Sequence, residues 1–313
     1  LEYEYPFRCY SQREDGSFVG PFYGFAWNDS KDGGQHAPGS NLCTGQQADG
    51  LTLEQYAQNH CHNKPIKIIG PPALHPAYYH PRMWRGPDSN GPRRVSPRTL
   101  YSGDRESLVA SLQHVESLFD QLNSIFRVVQ PDPNNEFSYG ISIRETLILA
   151  CTEVEAQLKG VLVASGHRRA IDPDARLNTS DYIDLLGPMR LNEYGLNLIR
   201  YPRYPEIRPF VDWERTKASQ SIRWYQTYNQ VKHDREGQFE NASLHAVIEA
   251  VAACAVMLLA QYGEDVLKKF QFKSLFEVPF VGMPNWEPTS WYYHLHPEYY
   301  PMMDAWSVKP YFE

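Results

Sequence analysis

The stretch Trp224-Tyr-Gln-Thr-Tyr-Asn-Gln-Val-Lys-His-Asp-Arg235 leads into a long apolar run from Ala242 to Tyr262. At the 100° per residue of an α-helix, Trp224, Tyr228 and Val231 form one apolar stripe on the first segment. The second segment is apolar on nearly every side, which is typical of a helix buried in a protein core. We therefore expect an amphipathic helix followed by a buried one.

Helical periodicity also precedes these two segments. Residues 104–129 and 142–164 each carry apolar residues three and four positions apart, the spacing of a core-facing stripe. A shorter helical pattern at 179–186 is expected to end at Gly187-Pro188. The long helices are predicted at 104–129, 142–164, 213–233 and 242–262. Together they predict a mainly α protein, a helical bundle over residues 104–270 whose neighbouring helices are antiparallel and joined by short turns.

Both ends of the chain differ from this middle part. The sequence contains 24 Pro and 21 Tyr, and these residues concentrate in residues 1–103 and 271–313. We expect two irregular extensions that wrap the bundle or make assembly contacts. Within the first, only a helix at 51–59 and a strand at 66–69 are predicted. The chain is thus divided into 1–103, 104–270 and 271–313.

Charge and motifs limit the functional classes. The chain has 313 residues and a formal charge of −7, which argues against a broad basic surface for nucleic acid but leaves room for a small local site. Walker, GxGxxG, GxSxG and HExxH motifs do not occur in the sequence. Nucleotide hydrolysis, dinucleotide redox chemistry, α/β-hydrolase chemistry and zincin proteolysis therefore lose support.

Cysteine usage indicates a reducing, cytoplasmic location. There are five cysteines without a CxxC pair, and Cys151 and Cys254 fall inside apolar helical patterns, where we expect free core residues. A disulfide among the other three stays open, because spacing alone does not exclude it. Residues 1–10 lack the apolar pattern of a signal peptide. The most apolar run, 246–260, is shorter than the ~20 residues that span a bilayer, so no membrane partner is expected.

The polar face of the 224–235 helix carries residues suited to catalysis. Asn229 and His233 are four residues apart and therefore adjacent, with Lys232 and Arg235 beside them. A histidine exchanges protons near neutral pH, an asparagine can orient an imidazole or a phosphate oxygen, and cations stabilise developing negative charge. These residues predict a phosphodiester-cleaving site without a metal ion or other cofactor, although a solvated helix face has the same pattern.

Asn229-x3-His233 before a long apolar helix, with the earlier helix Glu145-Thr-Leu-Ile-Leu-Ala-Cys-Thr-Glu-Val-Glu-Ala-Gln-Leu-Lys159, resembles the HEPN superfamily of helical domains. The resemblance covers roughly residues 104–265. Active HEPN proteins are typically metal-independent ribonucleases of toxin and phage-defence systems, and they act as dimers.

The resemblance implies an RNA-directed protein of defence or toxin type, with metal-independent endoribonuclease activity and RNA binding. It also implies a homo-oligomer, dimeric or larger. The catalytic residues would be His233, Asn229, Lys232 and Arg235. The family motif has an Arg where this chain has Tyr228. That difference favours the alternative, a non-enzymatic structural protein whose aromatic arms mediate subunit contacts.

Two loop stretches offer other sites. His75 and His80 have the spacing of paired zinc ligands, and Cys43 and Cys61 add ligand types, but we expect solvated or hydrogen-bonded loop histidines and no metal. The only basic stretch interleaves arginines with Trp84, which suits either single-stranded nucleic acid or an acidic partner surface. Its arginines are Arg82, Arg85, Arg93, Arg94 and Arg98.

Overall fold

A computed structural model describes part of the chain, with the strands before residue 73 described as backbone only. The described residues are 2–12, 18–28, 34–35, 45–46, 66–68, 73–74, 78–85, 105–234, 237–263, 275–279, 282–284, 286, 290, 292 and 307–313. The chain forms two compact units, the first made of residues 1–79, 85–98 and 286–308, the second of 80–84, 99–285 and 309–313. The protein is mainly α, which confirms the predicted class.

The first unit contains a small antiparallel sheet. Its strands β1 (Glu2–Gln12), β2 (Phe18–Asn28) and β5 (Ile66–Ile68) lie in the order β2–β1–β5. Two further pairs of short strands belong to this unit, one antiparallel and one parallel. They are β3 (Gly34–Gln35) with β4 (Gly45–Gln46), and β6 (Tyr78–Tyr79) with β9 (Ser307–Val308).

The two long strands correct the expectation of an irregular extension over 1–103. Tyr3, Tyr5 and Phe7 alternate with charged or small residues, which is the period-two pattern of a strand. Pro6 did not prevent pairing, because it lies at a register shift between β1 and β2, where a missing N–H is tolerated. β5 confirms the predicted strand near residues 66–69, and the helix predicted at 51–59 lies outside the described residues.

The second unit is built from three long helices and several shorter ones. They are α1 (Arg105–Phe126), α2 (Ile141–Ala164), α3 (Thr179–Tyr182), α4 (Leu186–Met189), α5 (Arg223–His233) and α6 (Leu244–Tyr262). The predicted helices at 104–129, 142–164 and 242–262 are thereby confirmed to within a few residues. A short antiparallel pair, β7 (Asn197–Leu198) with β8 (Phe276–Glu277), joins two loops of this unit.

Two helix boundaries differ from the prediction. Residues 213–222 form turns and a short 3-10 helix (Arg215–Lys217) instead of the first part of α5, because side chains there bind the backbone and compete with α-helical hydrogen bonds. The Glu214 amide donates to Ser221 Oγ at 2.9 Å, and Trp213 Nε1 donates to the Ala218 carbonyl at 2.9 Å. The helical segment predicted to end at Gly187-Pro188 continues to Met189. Gly187-Pro188 lies in the first turn of α4, where proline is tolerated.

α6 forms the centre of the bundle. All of its residues except His245 and Glu249 are buried. α2 runs parallel to it, since Cys254 Sγ contacts the Ala150 carbonyl at 3.3 Å and Gln261 contacts Gln157 in the same order along both helices. α2 and α6 are not joined by a short turn, so this pair does not test the prediction that helices joined by short turns are antiparallel. The long connection over residues 165–243 lets the chain return to the starting end of α2.

Five polar side chains form a continuous hydrogen-bonded network through the core. Arg82 Nε donates to Gln261 Oε1 at 2.8 Å, and Gln261 Nε2 donates to Gln157 Oε1 at 3.1 Å. Gln157 Nε2 donates in turn to Glu153 Oε1 at 2.8 Å. His114 Nδ1 lies 3.0 Å from the other Glu153 oxygen. The network links the 80–84 segment, α6, α2 and α1.

We expect Gln261→Leu to lower the free energy of unfolding by about 2 kcal/mol. The substitution leaves the Arg82 donor and the Gln157 acceptor without their partner in a buried setting. Urea unfolding midpoints of the wild type and the variant measure the loss. Gln113→Leu on the exposed face of α1 is the matched control. An equally small effect for both variants would show that the network contributes little.

Candidate functional site

The predicted catalytic helix is α5, which ends at His233. Trp224, Tyr228 and Val231 are at most 2% exposed, so the stripe predicted from the sequence is indeed the buried one. Trp224 is fixed further by its Nε1, which donates to the Pro209 carbonyl at 2.8 Å. These contacts hold α5 in one rotation about its axis and thereby determine which side chains face solvent.

The opposite face of α5 carries the predicted site residues. His233 and Lys232 are exposed, and Asn229 is partly buried. Asn229 and His233 lie one turn apart on this face. Within the described part of the chain neither side chain has a hydrogen-bond or ion-pair partner. Arg235 lies outside the described residues.

Lys232 is held by the side chain one turn before it. Its Nζ donates to the Tyr228 hydroxyl at 3.1 Å and lies 5.0 Å from the centre of that ring. This hydrogen bond is the main cause of a raised pKa for Lys232, to which the Glu155 charge also contributes. Tyr228 therefore fixes a positive charge at the surface of α5.

A polar cluster ties the buried side of α5 to α2. The Tyr225 hydroxyl donates to Glu155 Oε1 at 2.5 Å. Burial, this hydrogen bond and the Glu155 charge together raise the pKa of Tyr225. Burial and Glu155 also raise the pKa of Tyr182, to about 12. Both tyrosines therefore remain protonated at neutral pH, and Tyr225 acts as a hydrogen-bond donor that positions α5.

A second polar cluster, which the sequence patterns did not predict, lies at the first turn of α6. His245 Nδ1 is 3.1 Å from the Tyr204 hydroxyl and 3.7 Å from Glu136 Oε1. Its Nε2 is 3.4 Å from Glu249 Oε2, one turn along the same helix. About one-fifth of each of the three charged side chains is exposed, with values of 20%, 22% and 19% for His245, Glu136 and Glu249.

The environment of His245 favours its protonated form. The Glu249 carboxylate, 3.4 Å from the ring, is the main cause of a raised pKa for His245, and the charge of Glu136 acts in the same direction. Burial and the Arg223 charge oppose the shift without cancelling it. The ring bridges α6 to the connection between α1 and α2 through its contact with Glu136. A His and a Glu one turn apart in an apolar helix were the available sequence signal.

Some residues of the two loop stretches considered as other sites make hydrogen bonds or ring contacts within the chain. His80 Nδ1 lies 2.8 Å from the Lys309 carbonyl oxygen, which identifies it as a hydrogen-bonded histidine. Arg82 belongs to the buried network, and the Arg85 guanidinium lies over the Trp286 ring. The residues of these stretches that lie outside the described part are His75, Cys43, Cys61, Arg93, Arg94 and Arg98.

Two further properties bear on possible partners. Among the described residues, no group of three or more His, Cys, Asp or Glu is placed to hold a metal ion. α6 is the one described helix that is long and apolar enough to cross a membrane, with a mean hydropathy of 1.9. Of the 18-residue stretch of α6 that has this hydropathy, 89% is buried inside the protein, as in the core helix of a bundle.

Comparisons with known proteins give no match: no family model, no curated protein and no solved structure aligns with this chain. The HEPN resemblance therefore rests on the order of the helices and on Asn229 and His233.

We expect the free energy of unfolding to fall as pH rises through the raised pKa of His245. Below about pH 6.5, the ordinary histidine value, the folded and unfolded states both hold this proton, and its stabilising contribution is complete. Above it, the unfolded state loses the proton first, and the contribution decreases by at most about 1.4 kcal/mol per pH unit.

Urea titrations between about pH 5.5 and 9 compare the wild type with His245→Gln and His114→Gln. The His245 variant should lose this part of the slope. His114→Gln, which keeps a donor for Glu153, should retain it. A slope unchanged in His245→Gln would contradict the assigned environment.

Proposed function

We propose that the protein is an RNA-directed protein of the HEPN-like type and cleaves RNA without a metal ion at the solvent face of α5. The observation that carries this proposal is the pairing of an exposed His233 with Asn229, one turn away and without partners in the described chain. A histidine used in proton transfer must reach both substrate and solvent, and this position allows both.

Each of the three described residues has a distinct role. His233 accepts the proton of a ribose 2′-hydroxyl, whose oxygen attacks the neighbouring phosphorus and displaces the 5′-oxygen. The departing oxygen takes a proton from solvent, leaving a 2′,3′-cyclic phosphate and a 5′-hydroxyl. Asn229 orients the imidazole or a phosphate oxygen, and Lys232 stabilises negative charge on the phosphate.

The alternative function, assembly through aromatic arms, has less support from the described residues. Tyr79, Trp286 and Tyr292 are at most 7% exposed and are packed within the first unit. In the second unit, Phe276 packs edge-to-face on Phe119, with ring centroids 5.3 Å apart. These aromatic side chains make contacts inside the chain.

We expect His233→Ala to reduce RNA cleavage by at least about 100-fold, the lower end of the contribution of a general acid or base. Cleavage of transfer RNA and of an unstructured RNA is followed in EDTA. Removal of an exposed side chain should leave the helical circular dichroism spectrum and the urea midpoint unchanged.

His114→Gln is the matched control, since it replaces another exposed histidine, on α1, and keeps a donor for Glu153. Its cleavage rate should equal that of the wild type. Equal activity in wild type and His233→Ala, or activity lost only on adding EDTA, would refute the proposed site.

A further inference from the structure

The exposed residues of α2 occur once per helical turn along its whole length. Apart from Ser142 they are Ile141, Glu145, Leu149, Thr152, Ala156, Lys159 and Val163. Steps of three and four residues keep them on one side of the helix, in a line about 33 Å long. We call these seven residues the α2 stripe. The remaining residues of α2 are buried or partly buried.

The composition of the α2 stripe differs from that of an ordinary solvent-facing helix surface. Ile141, Leu149 and Val163 are 65%, 50% and 44% exposed. A helix face that meets water normally carries polar and charged residues, and the exposed residues of α1 include one large apolar side chain, Val109. Repeated exposure of large apolar side chains along one line indicates a surface that another element covers.

Four residues of the α2 stripe are placed symmetrically about Thr152. Glu145 and Lys159 each lie seven residues from it, and Ile141 and Val163 each lie eleven residues from it. Two copies of α2 packed antiparallel around a two-fold axis at Thr152 therefore bring Glu145 opposite Lys159 of the partner subunit. The same arrangement brings Ile141 opposite Val163 of the partner subunit.

We propose that the α2 stripe is the contact surface of a homodimer, in which α2 packs antiparallel on α2 of a second copy around a two-fold axis at Thr152. A two-fold contact uses the same patch on both subunits, so that patch must complement itself in charge and shape. The α2 stripe meets both conditions, and neither condition involves the residues assigned to RNA cleavage.

Charge complementarity selects a second copy as the partner. Glu145 and Lys159 are about 21 Å apart on one helix and so do not reach each other. Within the described residues neither has an ion-pair partner. The two-fold arrangement pairs each of them once with the other subunit and leaves no unmatched charge on the stripe.

Side-chain size fits the same arrangement. The small residues Thr152 and Ala156 lie at the centre of the stripe, where two helices with a separation of 8–10 Å approach most closely. Leu149 and Ala156 lie three and four residues from Thr152, so each comes within one residue of the other across the axis and a large side chain lies beside a small one. The apolar ends then cover each other at Ile141 and Val163.

Charge reversal tests the interface by its symmetry. Glu145→Lys alone places like charges opposite each other at two symmetric positions, and Lys159→Glu alone does the same. We expect each single variant to raise the dimer dissociation constant about tenfold. The double variant Glu145→Lys/Lys159→Glu restores opposite charges and should return the constant to near the wild-type value. Sedimentation equilibrium of the full chain at low salt measures these constants, with dimer mass twice the 36.1 kDa of the chain.

Cysteine cross-linking tests the register independently. Thr152→Cys places a thiol next to its own copy at the axis and should form an intersubunit disulfide on mild oxidation. Val163→Cys is the matched control, because the two copies of that residue lie about 33 Å apart and should not cross-link with each other. The wild type, with buried Cys151 and Cys254, sets the background.

Three results would overturn the proposal. The first is a wild-type chain that stays monomeric at about 100 µM, a concentration well above the dissociation constants of specific interfaces. The second is a dimer whose dissociation constant is unaffected by either single charge reversal. The third is a disulfide yield as high for Val163→Cys as for Thr152→Cys. Because all the substituted side chains are exposed, an unchanged circular dichroism spectrum serves as the folding control in each experiment.

Discussion

α6 is apolar around almost its entire circumference, and the rest of the second unit is arranged to keep it from water. α1, α2 and α5 all pack against it. Burial of each large apolar side chain stabilises the fold by about 1.5–3 kcal/mol, so the many buried side chains of α6 contribute strongly to the stability of the unit. A buried helix tolerates few polar side chains, and the polar side chains of α6 lie towards its two ends. Gln261 has its hydrogen-bond partners inside the core network, whereas His245 and Glu249 lie in the partly open first two turns.

The sequence predicts those parts of this fold that depend on local patterns. α1, α2 and α6 follow from the spacing of apolar residues, and the buried side of α5 follows from helical geometry. The start of α5 does not, because Ser221 and Trp213 satisfy backbone groups through contacts that periodicity does not encode. β1 and β2 were obscured by their prolines and tyrosines, although Asp15-Gly16, a common hairpin turn pair, stands between two alternating runs.

The site shows the same division between local and distant information. Asn229 and His233 could be placed on one face because four residues separate them. The cluster around His245 draws Tyr204 and Glu136 from segments far away in the chain, so only its pair with Glu249 was visible in the sequence. Likewise, the sequence does not distinguish the apolar residues of the α2 stripe from core residues. Only their exposure in the structure shows that α2 has apolar side chains on its outer face as well.

The parallel arrangement of α2 and α6 also has a consequence for how the chain folds. Their contacts join residues that are 104 positions apart, such as Cys254 with Ala150 and Gln261 with Gln157. Contacts between such distant segments form late, because the entropy of closing the intervening loop opposes them. During synthesis α1 and α2 leave the ribosome well before α6, with their core-facing side chains still uncovered. The nascent chain therefore passes through a stage that is prone to aggregation, and this stage ends when α6 is inserted.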